Sequence, residues 1–228
     1  AQVAYVMPSH QFPLGVVMPI RRRLELLKWA DRGERYIIED DYDSEFRYKG
    51  KPIPALQGYD IHERVIYLGT FSRSIAPALR MSYMVLPESL LCVYEREYRF
   101  INSTVSKIDQ KIVERFLAEG YYERHLNRMR ALYKSRHDTL LNALKPLLSI
   151  GSVSGEYAGV HLLFTFHDGG SEEDAVKKAK QGGIRIYGLS TFETQEMQRS
   201  CTILLGFANL PEEEIRAGAA LLAEKLLE

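Results

Sequence analysis

Short apolar runs alternate with longer amphipathic stretches in the first hundred residues, a pattern that predicts strands separated by helices. The predicted strands span residues 3–6, 36–38, 65–68 and 81–86. A helix at 18–32 joins the first two strands, so we expect a parallel, right-handed crossover. Only about a dozen residues separate the last two strands, too few for such a crossover. The pattern therefore predicts an α/β domain whose sheet is mostly parallel with one antiparallel strand.

Helical periodicity dominates the middle of the chain, and a mixed pattern follows it. The predicted helices span 88–100, 103–120 and 121–144, the second of them starting at Ser103. Further strands are predicted at 160–166, 184–187 and 202–205, with helices starting near Ser171 and Pro211. We therefore predict a partial large domain at 1–100, connecting helices at 101–145 and a small C-terminal α+β domain at 146–228.

Helical spacing also places apolar residues on one face of each of three predicted helices. The three predicted faces are Ile20, Leu24 and Leu27; Ile108, Ile112 and Phe116; and Ile215, Ala219, Leu222 and Leu226. The basic triplet Arg21, Arg22 and Arg23 is either a solvated helix face or a partner patch, and the solvated face is the ordinary case. His161 alternates out of the apolar face of its strand, which predicts a position at the solvent or a crevice edge.

Composition narrows the functional classes. Thirty basic and thirty acidic residues among 228 give a net charge of zero, which offers no electrostatic footprint for nucleic acid or an anionic membrane. No apolar run approaches the roughly 18 residues of a membrane span, and no leader pattern is present, so we expect a soluble cytoplasmic chain. Cys92 and Cys201 lack a CxxC pattern and are expected to be buried free thiols. No His, Cys and Asp set has metal-ligand spacing, so no metal is predicted.

Two predicted strands are each followed by polar residues whose side chains could bind a ligand. The strand at 36–38 continues into Glu39 to Asp43, and the strand at 65–68 continues into Gly69 to Ser74. In open parallel sheets, ligands bind beyond the carboxyl ends of the strands. Thr70, Ser72 and Arg80 supply hydroxyls, turn amides and a guanidinium for a phosphate. Asp40 needs a cationic or proton-donating partner, and Tyr42 points to the same side if the strand extends that far.

A simpler interpretation of the same residues stays open at this stage. The acids would then form a surface carboxylate cluster, and the hydroxyls would belong to an ordinary Ser/Thr turn. The cluster would comprise Asp40, Asp41, Asp43 and Glu45.

Several motifs in the same order resemble a known family. They are the runs at 36–46 (YIIEDDYDSEF), 54–56 (PAL) and 67–80 (YLGTFSRSIAPALR), with the proline-glycine turn at 7–15 (MPSHQFPLG) before them. Together with the helical segment at 121–141 and the run at 206–208, they resemble the aminotransferase-like domain of MocR-type regulators of the GntR superfamily. The resemblance covers nearly the whole chain.

This resemblance implies a fold-type I domain built for pyridoxal 5'-phosphate. Asp40 would pair with the pyridinium nitrogen, and Tyr42 would contact the phenolic oxygen. Thr70, Ser72 and Arg80 would hold the phosphate. The resemblance also implies a homodimer, a small amine or amino-acid effector, and DNA binding through a winged-helix domain that would precede residue 1 together with the first half of the aminotransferase fold.

The chain departs from the family at positions that matter for catalysis. Arg73 occupies the position of the Schiff-base lysine, and a guanidinium stays charged and is a poor nucleophile. Asn209 lies where an arginine usually binds the substrate carboxylate, and Phe12 replaces an asparagine of the catalytic enzymes. We therefore expect no catalytic residue and no covalent link to the cofactor.

Three functional classes stay open on the sequence alone. The first is an effector-sensing and dimer-forming module of a transcriptional regulator. The second is a fragment of a pyridoxal-phosphate enzyme of the aminotransferase class, and the third is a pseudo-enzyme domain that only holds a dimer together. Because function depends on the site rather than on the fold, the fold by itself does not separate them. Arg73 and Asn209 both count against turnover, and the resemblance to the regulators favours the first class.

Overall fold

The computed structural model describes residues 1–50, 53–193 and 201–227. It divides the chain into two compact units, which we describe separately. The first comprises Ala1–Gln11, Val16–Glu45 and Lys51–Met129, and the second comprises Phe12–Gly15, Phe46–Gly50 and Arg130–Glu228. The predicted domain limits at residues 100 and 145 stay predictions.

The first unit is built on a four-stranded sheet. Its strands are β1 (Val3–Val6), β2 (Tyr36–Asp41), β3 (Val65–Thr70) and β4 (Ser82–Val85), in the order β1-β2-β3-β4. The first three strands are parallel, and β4 is antiparallel to β3. The predicted α/β class, with a mostly parallel sheet and one antiparallel strand, is confirmed.

The core of the first unit lies between the sheet and its first helix. The helices are α1 (Ile20–Arg32), α2 (Glu88–Glu97), α3 (Lys107–Ala118) and α4 (Tyr121–Ala143), the last of which continues into the second unit. Ala30 of α1 packs with Ile37, Leu56 and Val65, and Trp29 packs against this cluster. Of the predicted face of α1, Leu27 packs against this cluster, whereas Ile20 and Leu24 are exposed.

Arg23 lies inside the first unit and not on a solvated face. Its side chain is fully buried, whereas Arg21 and Arg22 are exposed. The guanidinium donates to the backbone carbonyls of Met18, Pro54 and Pro8, at 3.0, 2.8 and 2.7 Å. These carbonyls lie outside the strands of the sheet, and that of Pro8 also accepts from the backbone amide of Met18. Arg23 therefore joins three separate segments of the chain.

The third helix begins later than predicted. Ser106 is its N-cap, accepting hydrogen bonds from the amides of Ile108 and Asp109, so Ser103 lies outside the helix. Ile108 and Ile112 are 73% and 58% exposed, and the buried residue of this helix is Val113. The apolar face that helical spacing predicted is therefore exposed at Ile108 and Ile112. Cys92 on α2 is exposed as well, contrary to expectation, while Cys201 is buried.

The second unit contains an antiparallel sheet covered by helices. Its strands are β5 (Gly151–Ser154), β6 (His161–Phe166), β7 (Tyr187–Gly188) and β8 (Thr202–Gly206), in the order β5-β6-β8-β7. Its two further helices are α5 (Glu172–Gln181) and α6 (Glu212–Leu227). Ser171 caps α5 as predicted, accepting from the amide of Asp174. The sequence did not predict β5, because its four residues include one glycine and two serines.

The core of the second unit lies between this sheet and the helices. Leu162, Phe164 and Ile203 of the sheet pack with Ile215 and Leu222 of α6. The predicted face of α6 is buried at its first three positions, and Leu226 packs at its edge. His161 is buried and not at the solvent, and its Nε2 lies 3.0 Å from the carbonyl oxygen of Pro13.

We expect Gly151→Ala to destabilise the second unit by roughly 1–3 kcal/mol. A Cβ at this buried position would lie 2.3 Å from the ring of Phe164 and 2.6 Å from the carbonyl oxygen of Thr165. Gly218→Ala in α6 is the control, because a Cβ there meets no atom within 4 Å. Alanine favours the helix, so this variant should be stabilised by about 0.5–1 kcal/mol. Denaturant unfolding measures both, and equal midpoints would refute the prediction.

Candidate functional site

Strands β2 and β3 end side by side at one edge of the first sheet. They are parallel, with Asp40 opposite Leu68 and Asp41 opposite Gly69, and Thr70 ends β3 one residue later. The polar residues that follow both strands therefore leave the same edge, as the sequence predicted. Arg80 belongs to this region as well, because it lies two residues before Ser82, which pairs with Thr70.

Asp40 is half-exposed on the face of β2 opposite to the buried side chains of Glu39 and Asp41. One oxygen of its carboxylate accepts a short hydrogen bond from the hydroxyl of Tyr5 on β1. Partial burial, followed by the bond to Asp40, raises the pKa of Tyr5 to about 12. The sequence analysis missed Tyr5. The parallel register gives the signal, since Tyr5 pairs with Ile38 and Asp40 lies two residues further on the same face.

The acids around Asp40 do not form a surface cluster. Glu39 is fully buried and accepts from the amides of Leu56 and Gln57, at 2.7 and 2.8 Å. Desolvation raises its pKa. Asp41 is also buried and accepts from the hydroxyl of Tyr67 at 2.9 Å. The interpretation of Asp41 and Asp43 as surface carboxylates is therefore wrong, because both side chains lie inside the unit.

Tyr42 lies just beyond the end of β2. The sequence analysis placed it on the same face as Asp40 only if the strand extended that far, and the strand ends one residue earlier. Its hydroxyl donates to the carbonyl oxygen of His10 at 2.9 Å and lies 3.1 Å from His10 Nδ1. The same Nδ1 lies 2.9 Å from Oδ2 of Asp43, and both side chains of that pair are almost completely buried. Burial raises the pKa of Tyr42 and of Asp43. Sequence reasoning did not find His10 or the role of Asp43.

The turn after β3 is closed by its own hydrogen bonds. The Thr70 hydroxyl accepts from the amide of Ser72 at 3.1 Å and donates to the carbonyl oxygen of Met81 at 3.3 Å. The amide of Phe71 also donates to Met81, at 3.0 Å. Thr70 therefore shapes the turn, and the side chain of Ser72 beside it is half-buried.

Two arginines accompany this turn. Arg73 follows Ser72 and is exposed, and its positive charge lowers the pKa of both Tyr42 and Asp43 against the effect of their burial. Arg80 is exposed at the end of a short 3-10 turn, in a left-handed conformation with φ of 47°. The sequence contains no lysine between residues 53 and 106. The cations that the turn after β3 supplies are therefore guanidinium groups, which bind anions and do not act as nucleophiles.

The residues at this edge fit a phosphate-bearing pyridine ring that is held without a covalent bond. The free side of the Asp40 carboxylate can accept from a protonated ring nitrogen. Arg80, Ser72 and the amides of the turn can hold a phosphate. The Tyr42 hydroxyl donates within the protein, to the carbonyl oxygen of His10. No side chain of the turn can form the covalent link, since Arg73 is a guanidinium.

The other predicted candidate, Asn209, belongs to the second unit. It is exposed in the turn between β8 and α6. Phe12 also belongs to that unit, and its ring meets His161 and Phe192 edge to face.

Within the described residues, no group of His, Cys, Asp and Glu side chains could hold a metal ion. None of the described helices has the length and apolar character that a membrane crossing requires.

Comparison of amino-acid sequences finds that the chain is similar to transcriptional regulators. No protein-family model matches the chain. It is 42% identical over 215 residues to the uncharacterized HTH-type transcriptional regulator YhdI of Bacillus subtilis, covering 94% of the chain and 46% of YhdI. It is 34% identical over 221 residues to the probable rhizopine catabolism regulatory protein MocR of Rhizobium meliloti, covering 95% of the chain and 44% of MocR. The chain thus spans about half the length of the curated relatives it matches.

Comparison with solved structures finds that the chain is similar to aminotransferases. A kynurenine aminotransferase of Pyrococcus horikoshii matches with a TM-score of 0.88 and 30% identity, over 99% of this chain and 56% of that one. A multiple substrate aminotransferase of Thermococcus profundus matches with a TM-score of 0.87 and 30% identity, over 99% and 56% of the two chains. The fold is therefore that of a fold-type I aminotransferase. Together with the relatives above, this places the chain in the family of MocR-type transcriptional regulators, as their aminotransferase-like domain.

Proposed function

We propose that this chain is the sensing domain of a transcriptional regulator and that it holds pyridoxal 5'-phosphate without a covalent bond. Asp40 pairs with the ring nitrogen, Tyr42 lies at the phenolic oxygen, and Ser72 and Arg80 bind the phosphate within the turn that Thr70 shapes. When bound, the cofactor supplies an electrophilic carbonyl to a small amine or amino-acid effector. A change in occupancy then alters the regulator's affinity for DNA, which is bound through a domain outside this chain.

The single observation that carries the proposal is the arginine in the turn after β3. The family places its Schiff-base lysine at the position of Arg73, directly after the phosphate-binding Ser72. The guanidinium keeps its proton at any physiological pH, because its pKa is above about 12. Arg73 retains a positive charge beside Tyr42 but removes the nucleophile and base that transamination needs. The site can therefore bind a ligand but lacks the groups that transamination needs.

The second candidate function is an aminotransferase. It is favoured by the fold and by 30% identity over 229 residues to aromatic-amino-acid aminotransferase 1 of Thermococcus litoralis. Arg73 and Asn209 count against it, since an asparagine cannot bind a substrate carboxylate through two charged hydrogen bonds. Loss of an amino group from a labelled amino acid, in an assay with added cofactor, would favour this second candidate.

We also propose self-association as a homodimer.

Binding of pyridoxal 5'-phosphate tests the proposal. We expect the protein to bind it reversibly, and borohydride treatment should leave no adduct at residue 73. Asp40→Asn should weaken binding by about 10- to 100-fold, because a neutral amide replaces one partner of a charge-assisted hydrogen bond. Equilibrium dialysis measures the affinity. Glu95→Gln also exchanges a carboxylate for an amide, but on the exposed face of α2. It is the control and should leave the affinity unchanged. Equal affinities of wild type and Asp40→Asn would refute the assignment.

A further inference from the structure

We propose that the second unit contains a binding site for a free α-amino acid with a branched aliphatic side chain, such as leucine. The site lies between β8, α6 and the segment before β7, and the residues that line it all belong to the second unit. This inference goes beyond the proposed function, because the site uses none of the residues that would hold pyridoxal 5'-phosphate.

A cavity of about 90 Å³ forms the centre of this site. Its floor is apolar, because core residues of the second unit line it, among them Ile186, Leu205 and Leu222. Apolar cavities in proteins take up small apolar groups, and one of roughly 150 Å³ holds a benzene ring. The smaller cavity of this chain therefore suits a branched aliphatic side chain.

Two glycines leave this cavity open. Gly206 at the end of β8 and Gly218 in α6 both line it, and a Cβ at either position would meet no atom within 4 Å. Neither glycine has a positive φ, so the backbone does not require glycine at these positions. A glycine inside a helix costs stability relative to alanine. Because Gly218 lies three residues after Ile215 and four before Leu222, a side chain at position 218 would share their face and occupy the cavity.

Two opposite charges flank the apolar floor. Arg185 and Glu214 line the cavity and are exposed, so they stand at its mouth. The guanidinium of Arg185 lies 5.3 Å from the ring centre of Tyr187, a contact that orients it. Glu214 precedes Gly218 by one helical turn and lies on the same side of α6. A carboxylate bound at Arg185 and an ammonium group bound at Glu214, with an aliphatic chain in the cavity, together define a free amino acid.

Calorimetric titration of the full chain with L-leucine, without added cofactor, tests the site. We expect saturable binding of one leucine per chain. L-Alanine should bind about 50-fold more weakly, because three aliphatic carbons fewer enter the cavity. 4-Methylpentanoate lacks the ammonium group and 3-methylbutylamine lacks the carboxylate, so each should bind about fivefold more weakly than leucine. Absence of leucine binding, or equal affinities for leucine and alanine, would overturn the inference.

Three variants place the ligand in the cavity. Gly218→Leu fills the space with an aliphatic side chain and should abolish leucine binding without lowering the thermal stability. Arg185→Gln and Glu214→Gln leave the cavity as it is and should each weaken binding by about fivefold. Glu213→Gln is the matched control, because Glu213 is an exposed carboxylate of the same helical turn that does not line the cavity.

The variants can contradict the inference in two ways. Unchanged leucine affinity in a folded Gly218→Leu variant would overturn it. If Gly218→Leu lost stability, the two charge variants would decide instead, and affinities equal to that of Glu213→Gln would overturn the inference.

A further variant separates this inference from the proposed function. Asp40→Asn should weaken the binding of pyridoxal 5'-phosphate and leave the affinity for leucine unchanged. If the wild type bound no pyridoxal 5'-phosphate, the proposed function would fail, and the leucine titration would still decide the site in the second unit. A loss of leucine binding in Asp40→Asn would overturn the inference, because leucine would then bind at the edge of the first sheet.

Discussion

Arg73→Lys should convert the proposed reversible binding of pyridoxal 5'-phosphate into covalent capture. After incubation with pyridoxal 5'-phosphate, the variant should develop a visible absorption band that the wild type lacks, and borohydride should fix the cofactor to residue 73. The reason is chemical, because a lysine amine can lose its proton and attack an aldehyde, whereas a guanidinium cannot. Absorbance and peptide mass mapping measure the result. The expected change in occupancy at residue 73 is from none to nearly complete.

The control is Arg22→Lys, which introduces the same amine on the exposed face of α1. Other lysines of the chain, such as Lys107 and Lys111, report the background reaction with the aldehyde. Labelling of residue 73 should exceed that of these lysines, because in the proposed function Asp40 and the turn after β3 hold the ring beside it. Labelling at the background level would mean that this edge of the sheet does not bind the cofactor.

Arg23→Met should have the largest effect on stability, roughly 3–5 kcal/mol. The methionine keeps much of the buried volume but removes the guanidinium from the carbonyls of Met18, Pro54 and Pro8, of which Pro8 still accepts from the amide of Met18. Each unsatisfied buried carbonyl costs about 1–3 kcal/mol. The positive charge also acts favourably on buried Glu39, and this interaction is lost too. Chemical denaturation of the first unit measures the loss.

The neighbouring residue gives a matched control for this exchange. Arg22→Met makes the same substitution one position earlier, on an exposed side chain, and should change stability by less than about 0.5 kcal/mol. A loss of stability in Arg22→Met equal to that in Arg23→Met would show that the charge of the helix, and not the buried hydrogen bonds, is responsible.

The sheet of the first unit could be predicted from the sequence because its signals are local. Apolar runs mark β1, β2 and β3, and the short connection before β4 determines its direction. The same reasoning brought Asp40 and Thr70 to one edge, since parallel neighbours end together. The motifs at 36–46 and 67–80 supplied the family, which the sequence relatives and solved structures confirm.

The remaining features depend on contacts between distant segments. Arg23 has the same local pattern as Arg21 and Arg22, and only the carbonyls of remote turns explain its burial. The bond between Tyr5 and Asp40 joins residues 35 apart, and periodicity carries no information on such pairs. Helical spacing likewise gives a face for α3 but not what covers it, so the exposure of Ile108 could not be foreseen.

The single tryptophan of the chain has a practical consequence. Trp29 packs against the core of the first unit, and the guanidinium of Arg35 lies 5.0 Å from the centre of its ring. Indole emission will therefore follow the melting of that unit alone, while the second unit contributes only tyrosine and phenylalanine signals. Fluorescence and far-ultraviolet circular dichroism recorded on one sample would show directly whether the two halves of this chain lose their structure together or in succession.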